Sequence, residues 1–256
     1  MGNVNLIPDP EFDYFLTPDK GRLLTVSTDR NASVKDMVEA LGIPHTDVGE
    51  LICRNSPLPF SHIPVDRDVI HILPITPPLN VTIPSLLRPR PMDALRFIAD
   101  VNVGKLARLL ILMGFDTSFS NSYADQEVAD IAVAQNRVIL TRDTNLLKRK
   151  KVMFGRRVRA SAPYDQLMEV LGLFGLTRGP FDFMSRCTEC NDRLEPVDKD
   201  LILERLEPKT RLYFDQFTIC PSCSQVYWKG SHHQGMITRF HELGLPVDLQ
   251  GETCPE

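Results

Sequence analysis

Phe97-Ile98-Ala99 is a short, wholly apolar run that stops abruptly at Asp100. Beyond it Val103, Leu106, Ala107, Leu110 and Met113 recur close to the i, i+3, i+4, i+7 spacing of an amphipathic helix, and Gly114 supplies the stop. The pattern then repeats. Arg137-Val138-Ile139-Leu140-Thr141 is a second apolar run that ends in an acid, Asp143, before another helix-forming segment. Between the two, Val128, Ile131, Ala132 and Gln135 outline a helix face whose first turn carries Asp125 and Glu127. Alternating strands and helices predict an α/β fold with a parallel sheet and right-handed crossovers. Ligands of such sheets bind outside the carboxyl ends of the strands, the edge on which Asp100 and Asp143 both fall.

The first 76 residues carry a different rhythm. Gly21–Ser27 alternates as a half-buried strand, Ser33-Val34-Lys35-Asp36 opens a helix that Gly42 closes, and Leu51–Asn55 and Val69–Leu73 supply two further strands. Strand, helix, strand, strand resembles the ubiquitin-like β-grasp, although Pro8 and Pro10 weaken any first strand within Met1–Phe15. No diglycine follows Ile75-Thr76-Pro77-Pro78, which argues against a modifier or sulfur carrier and for docking or RNA contact. Five prolines between Ile75 and Met92 forbid a helix or central strand, so residues 77–92 read as an extended linker or a strap across a surface. Residues 93–180 then form the α/β domain, with Leu167, Val170, Leu171 and Phe174 on the face of its last helix.

Residues 181–256 change character again. Cys187-Thr188-Glu189-Cys190 and Cys220-Pro221-Ser222-Cys223 are two CxxC pairs whose four thiolates make a tetrahedral zinc site without an open position. A redox CxxC normally stands alone near a thioredoxin-like pattern, and disulfides are disfavoured in a reducing compartment. Tyr227-Trp228-Lys229 follows the second pair directly. Aromatic and cationic neighbours grip unpaired bases, and the bland alternative is that Trp228 is the core of the small zinc module. Cys53 and Cys254 read as a buried apolar residue and a tail thiol.

Composition adds two facts. No apolar run approaches the roughly 20 residues that span a bilayer, and Met1–Asn5 lacks a signal peptide's basic start and apolar core, so no membrane association and a cytoplasmic location are expected. The net charge of −4 conceals an asymmetry: between Arg142 and Arg159 eight cations face one acid, leaving −11 for the remainder. A basic block beside clustered acids suits a polyanionic substrate, while the plain alternative is a solvated helix face.

Clustered carboxylates repel one another unless a cation neutralises them, and an all-oxygen ligand set favours magnesium or manganese. Asp100 and Asp143 are the expected direct ligands, completed by Asp125 or Glu127. Each acid taken alone is equally an N-cap for the helix after it. Lys105, Arg108 and Arg142 stand where they would neutralise phosphate oxygens, and Lys148, Arg149 and Lys150 extend the basic surface.

Phe97-Ile98-Ala99-Asp100 with Gly104–Leu110 and Met113-Gly114-Phe115-Asp116, then Ala124-Asp125-Gln126-Glu127, Val138–Asp143, Arg186–Asn191 and Cys220–His232, together resemble the Mut-seven C-terminal RNase family. That family joins a PIN-like nuclease domain to a zinc ribbon, here behind a ubiquitin-like domain. The resemblance implies metal-dependent RNA cleavage by Asp100, Asp125 or Glu127, and Asp143, with magnesium or manganese at the catalytic centre. Family members carry a denser acidic run where this chain has Tyr123–Glu127, and Asn102 is placed to orient a water. The alternative is a non-catalytic RNA-binding or ribosome-associated adaptor, docking through its N-terminal domain. A DNA nuclease shares the same expected site.

Overall fold

The computed structural model describes residues 2–16 and 23–247, so Gly21 and Arg22 of the expected strand and the tail thiol Cys254 lie outside them. The N-terminal sheet comprises β1 (Asn3–Pro8), β2 (Leu24–Ser27), β3 (Val48–Cys53), β4 (Ser56–Pro57) and β5 (Val69–Pro74), in the order β2-β1-β5-β3-β4. Only β1 and β5 pair in parallel. Across this sheet lies α1 (Val34–Ala40), started by a reciprocal cap between Ser33 and Asp36, with Met37 and Val38 buried among Val4, Leu6, Ile70 and Ile72. The arrangement is β-grasp-like, and Cys53 is part of its core.

The first strand forms despite its prolines. The Asn5 and Asp9 amides donate toward β5, to the Asp68 and Ile72 carbonyls, so the missing Pro8 donor faces the other side. Among the described residues the pairing with β2 ends at Leu6↔Leu24, and the ladder to β5 needs no donor from Pro8. Pro10 begins the 3₁₀ turn Pro10–Phe15 that follows.

The second sheet is wholly parallel. Its strands are β6 (Phe97–Ala99), β7 (Thr117–Ser118), β8 (Val138–Thr141) and β9 (Gly155–Arg157), ordered β7-β6-β8-β9. Between them run α2 (Gly104–Leu112), α3 (Asp125–Ala134) and α4 (Thr144–Leu147), and α5 (Pro163–Phe174) follows. Successive strand residues face opposite sides. Phe97, Ala99, Val138 and Leu140 pack with α2 and α5, while Ile98 and Ile139 pack with Val128 and Ala132 of α3 and Leu146 of α4. The result is a sheet between two helical layers.

The third sheet is antiparallel: β10 (Glu195–Val197), β11 (Phe217–Ile219) and β12 (Val226–Trp228), with α6 (Pro208–Tyr213) between the first two. The chain then turns back. Ile237 and Phe240 of α7 (Ser231–Glu242), with Leu245 and Val247, are buried in the core of the parallel-sheet domain, so residues beyond 230 complete that domain as well as ending the zinc module. Asn191, after the first cysteine pair, ties the module to the sheet edge: its side chain accepts from the Thr117 amide (3.0 Å) and donates to Asp116 (2.8 Å). Among the described residues no helix is long and apolar enough to cross a membrane.

Residues 77–92 form a strap packed on both sides. Val81 and Met92 belong to the core of the parallel-sheet domain and Leu87 to that of the β-grasp. Arg88 is buried, donates to the Thr46 and Val48 carbonyls, and is brought down to about 10 by that burial. Three arginines around β9 hold the β-grasp in place. Arg156 pairs with fully buried Asp47 at 3.0 Å, Arg159 with Glu11 at 3.0 Å, and Arg157 and Arg159 lie over the Tyr14 ring. Here the expectation of one basic substrate-facing block is corrected, because β9 is an edge strand whose side chains meet the acidic flank of the N-terminal domain.

Two predictions follow from these contacts. Arg156→Ala leaves Asp47 buried without its partner, and urea unfolding should show a loss of about 3–5 kcal/mol; an added Asp47→Asn should recover part of it. Burial pushes the Asp116 carboxyl up, but hydrogen bonds from Arg137 and Asn191 more than offset this and hold it below the usual carboxylate range. Its contribution is therefore present above the unfolded value of about 3.9 and is lost as pH falls through the lower folded value. Asp116→Asn should cost about 1–3 kcal/mol at neutral pH, and the gap from wild type should close in acid; a gap independent of pH would refute the assignment.

Candidate functional site

The strand order of the parallel sheet reverses between β6 and β8, whose crossovers leave in opposite directions, and a crevice opens at such a point. The register Ala99↔Leu140 sets Asp100 beside Thr141 there. Asp100 is 2 % exposed and surrounded by donors. Its Oδ1 accepts from the Val101 amide at 2.6 Å, and its Oδ2 accepts from the Thr141 hydroxyl at 2.7 Å and from Asn102 Nδ2 at 2.5 Å. The same Thr141 oxygen accepts from the Asp143 amide at 2.9 Å. One buried hydroxyl thus links the Asp100 carboxylate to the backbone of Asp143. Asn102 adds a second link, accepting from the Arg142 amide at 3.0 Å.

Asp143 also caps α4, accepting from the Asn145 amide at 2.8 Å, and Asp100 caps the 3₁₀ turn Val101–Val103. Capping therefore coexists with a hydroxyl-bridged link from the Asp100 carboxylate to the Asp143 backbone. Asp125 and Glu127 begin α3 on the same edge of the sheet but are exposed and otherwise engaged. Glu127 accepts from the Ala124 amide at 2.8 Å, and Asp125 lies 3.9 Å from Arg149. Among the described residues the four cysteines, and no set of three carboxylates, come together as a metal-ligand group.

A cleft of about 420 Å³ lies on the far side of Asn102 from Asp100, lined by Asn102, Lys105, Arg108 and Arg142 and closed by Ser161 and Gln166, with Asp100 and Asp143 themselves behind its lining. Gly104 and Pro163, at the amino ends of α2 and α5, line it too, so two sets of backbone donors add to the positive field. Lys148, Arg149 and Lys150 lie beyond α4, outside this lining; Arg149 donates to Gln126 at 2.6 Å.

The cysteines form the second centre. Cys187 and Cys223 sulfurs are 3.4 Å apart, Cys190 and Cys220 3.3 Å, and all four lie within 4.8 Å of one another. Each pair is a tight knuckle closed by a left-handed residue, Asn191 (φ 67°) or Ser224 (φ 61°). The Tyr227 hydroxyl accepts from the Thr188 amide and donates to Cys187 Sγ at 3.1 Å. Burial pushes the Cys187 thiol up, but this bond and those from the Cys190 and Glu189 amides bring it down to about 7, whereas burial and the neighbouring sulfurs push Cys190 up to about 12. Four sulfur donors at one point fit zinc in a closed structural site.

The family model described as Mut7-C RNAse domain matches residues 95–240, more than half of the chain. The chain belongs to the Mut7-C RNase family. A second model, Mut7-C ubiquitin, matches residues 2–80. Neither a curated protein nor a solved structure matches the chain. The first Mut7-C match runs from the start of the parallel sheet into α7, so nuclease sheet, knuckles and returning helix are one family unit.

Sequence reasoning about this Mut7-C domain overlooked Thr141, Ser161 and Gln166. Thr141 was open to discovery, since it is the one polar residue of β8 and stands two places before Asp143. Ser161 and Gln166 reach the cleft through the packing of α5 on α2, which no local pattern reveals. For the Mut7-C ribbon, elemental analysis of the full-length chain is expected to find one zinc per molecule, lost in Cys220→Ser together with the protection of β11 and β12 from hydrogen exchange. Zinc retained in that variant would exclude the four-sulfur site.

Proposed function

We propose that the chain is a metal-dependent ribonuclease that hydrolyses RNA phosphodiester bonds in the cleft beside Asp100. The observation that carries this reading is the hydroxyl link from the Asp100 carboxylate to the backbone amide of Asp143, next to a cleft lined by Lys105, Arg108 and Arg142. Two carboxylates suit magnesium or manganese, which commonly take one or two protein carboxylates and complete their shell with water and substrate phosphate. Asp100 and Asp143 would hold the ion, and Asp125 or Glu127 would join them by giving up its present partner. When bound, such an ion supplies Lewis-acid charge stabilisation and acidifies water.

The protein's own groups do the rest. Thr141 and Asn102 fix the Asp100 carboxylate, so its orientation is set before substrate arrives. Lys105, Arg108 and Arg142, with the amino ends of α2 and α5, hold the phosphate and balance the charge that grows on its non-bridging oxygens. Lys148, Arg149 and Lys150 would take flanking phosphates of a single-stranded or structured RNA, in the cytoplasm. The β-grasp domain would dock a protein or ribosomal partner.

The test is cleavage of single-stranded RNA and DNA by the purified chain with manganese or magnesium. Asp100→Asn and Asp143→Asn should each reduce the rate on the order of 100-fold or more, the effect of losing several kcal/mol of metal-assisted stabilisation. Equal rates in wild type and Asp100→Asn end the proposal. RNA binding that ignores magnesium and Asp143→Asn, yet fails when Lys148–Lys151 are neutralised, would favour the adaptor.

A further inference from the structure

A groove of about 420 Å³ runs along the zinc module, lined by Phe183, Gln216, Phe217, Tyr227, Trp228 and His233. Its size is that of small-ligand sites, about 300–1,000 Å³. Trp228 is 37 % exposed, an unusual state for the chain's one tryptophan, and it is not merely core. A Cβ at Gly230 would stand 3.0 Å from Trp228 Nε1, so the indole rests against bare backbone. Tyr227 and Trp228 also line a second groove of about 640 Å³, and the wall of that groove includes Arg108. Arg108 in turn lines the cleft beside Asp100. Arg108 is thus a wall shared by the cationic cleft and the second groove, and Tyr227 and Trp228 are walls shared by the two grooves.

We infer that the Trp228 groove is a base-binding subsite, taking an unpaired nucleobase of the RNA strand whose phosphate lies in the cleft. The inference rests on the ribonuclease reading above. Phosphates need cations and unpaired bases need aromatic faces, and neighbouring cavities that share Arg108, Tyr227 and Trp228 in their walls offer both. Gln216 offers a donor and an acceptor to a base edge at the groove wall. A protein-docking face would not require a cation such as Arg108 shared between the neighbouring groove and the cationic cleft. The Cys187–Tyr227 bond anchors the neighbouring aromatic to the zinc knuckle, so the same cysteines that hold the ribbon position the groove.

Because Trp228 is unique, its emission reports the groove directly. Full-length Asp100→Asn protein, with its zinc retained, is titrated with oligouridylate, with an abasic phosphodiester of equal length and with duplex RNA. Quenching by the first alone is expected. In otherwise wild-type protein Trp228→Ala should raise KM for single-stranded RNA about tenfold, the measured scale of one base–aromatic stack, while Trp228→Phe restores most of it and zinc content is unchanged in both. Cleavage with an unchanged KM in Trp228→Ala overturns the subsite and leaves the nuclease reading standing. Quenching without any cleavage by wild type does the reverse. Emission that ignores the oligonucleotide but responds to an aromatic-rich peptide would make the groove a protein-docking face and overturn the inference.

Discussion

The parallel pairing of β6 with β8, in the register Phe97↔Val138, Ile98↔Ile139 and Ala99↔Leu140, is the constraint on which the rest depends. A slip of one residue would exchange the faces of one strand relative to the other, exposing Ile98 or Ile139 to the wrong helical layer. The two hydrophobic layers therefore lock the register. A locked register in turn delivers Asp100 and Thr141 to neighbouring positions at the sheet edge. Core packing and site geometry are consequently one problem here, and the Thr141 hydroxyl is where they meet.

Charge is divided between two tasks. Arg156, Arg157 and Arg159 hold the β-grasp through Asp47, Glu11 and the Tyr14 ring, whereas Lys105, Arg108 and Arg142 remain at the cleft. The acidic surplus outside the basic run is partly explained by this, because Asp47 and Glu11 are the acids that the arginines meet. His45 extends the same interface, with Nε2 2.6 Å from the Val152 carbonyl and Nδ1 2.6 Å from Glu39. The N-terminal domain is thus fastened to the nuclease sheet by buried polar contacts as well as by the strap.

Much of this was legible in the chain and some was not. The helices containing Leu106, Leu110, Val128 and Leu167 follow from local periodicity, and the four cysteines follow from spacing alone. The strand β9 was invisible because Gly155-Arg156-Arg157 has no apolar alternation; its arginines pack against Asp47 and the Tyr14 ring of another domain. The first strand was obscured by Pro8, whose missing donor does not interrupt the ladder to β5, a fact of pairing and not of composition. The strap was recognisable as extended from its prolines, but its double burial was not, since Leu87 and Met92 enter different cores. At the site, the acids could be nominated from strand ends, whereas the engagement of Asp125 and Glu127 elsewhere depends on where Arg149 and Ala124 fall in space.

The ion pair between Asp47 and Arg156 joins positions 109 residues apart. As the polypeptide leaves the ribosome, Asp47 emerges first and waits about 5–20 s, at usual elongation speeds, for the arginine that will cover it. Through that interval the flank of the newborn β-grasp stays wet, because drying an unaccompanied carboxylate is too costly. The late arrival of its counter-charge therefore acts as a timer, postponing closure of the two halves until the strand that completes the nuclease sheet has been made.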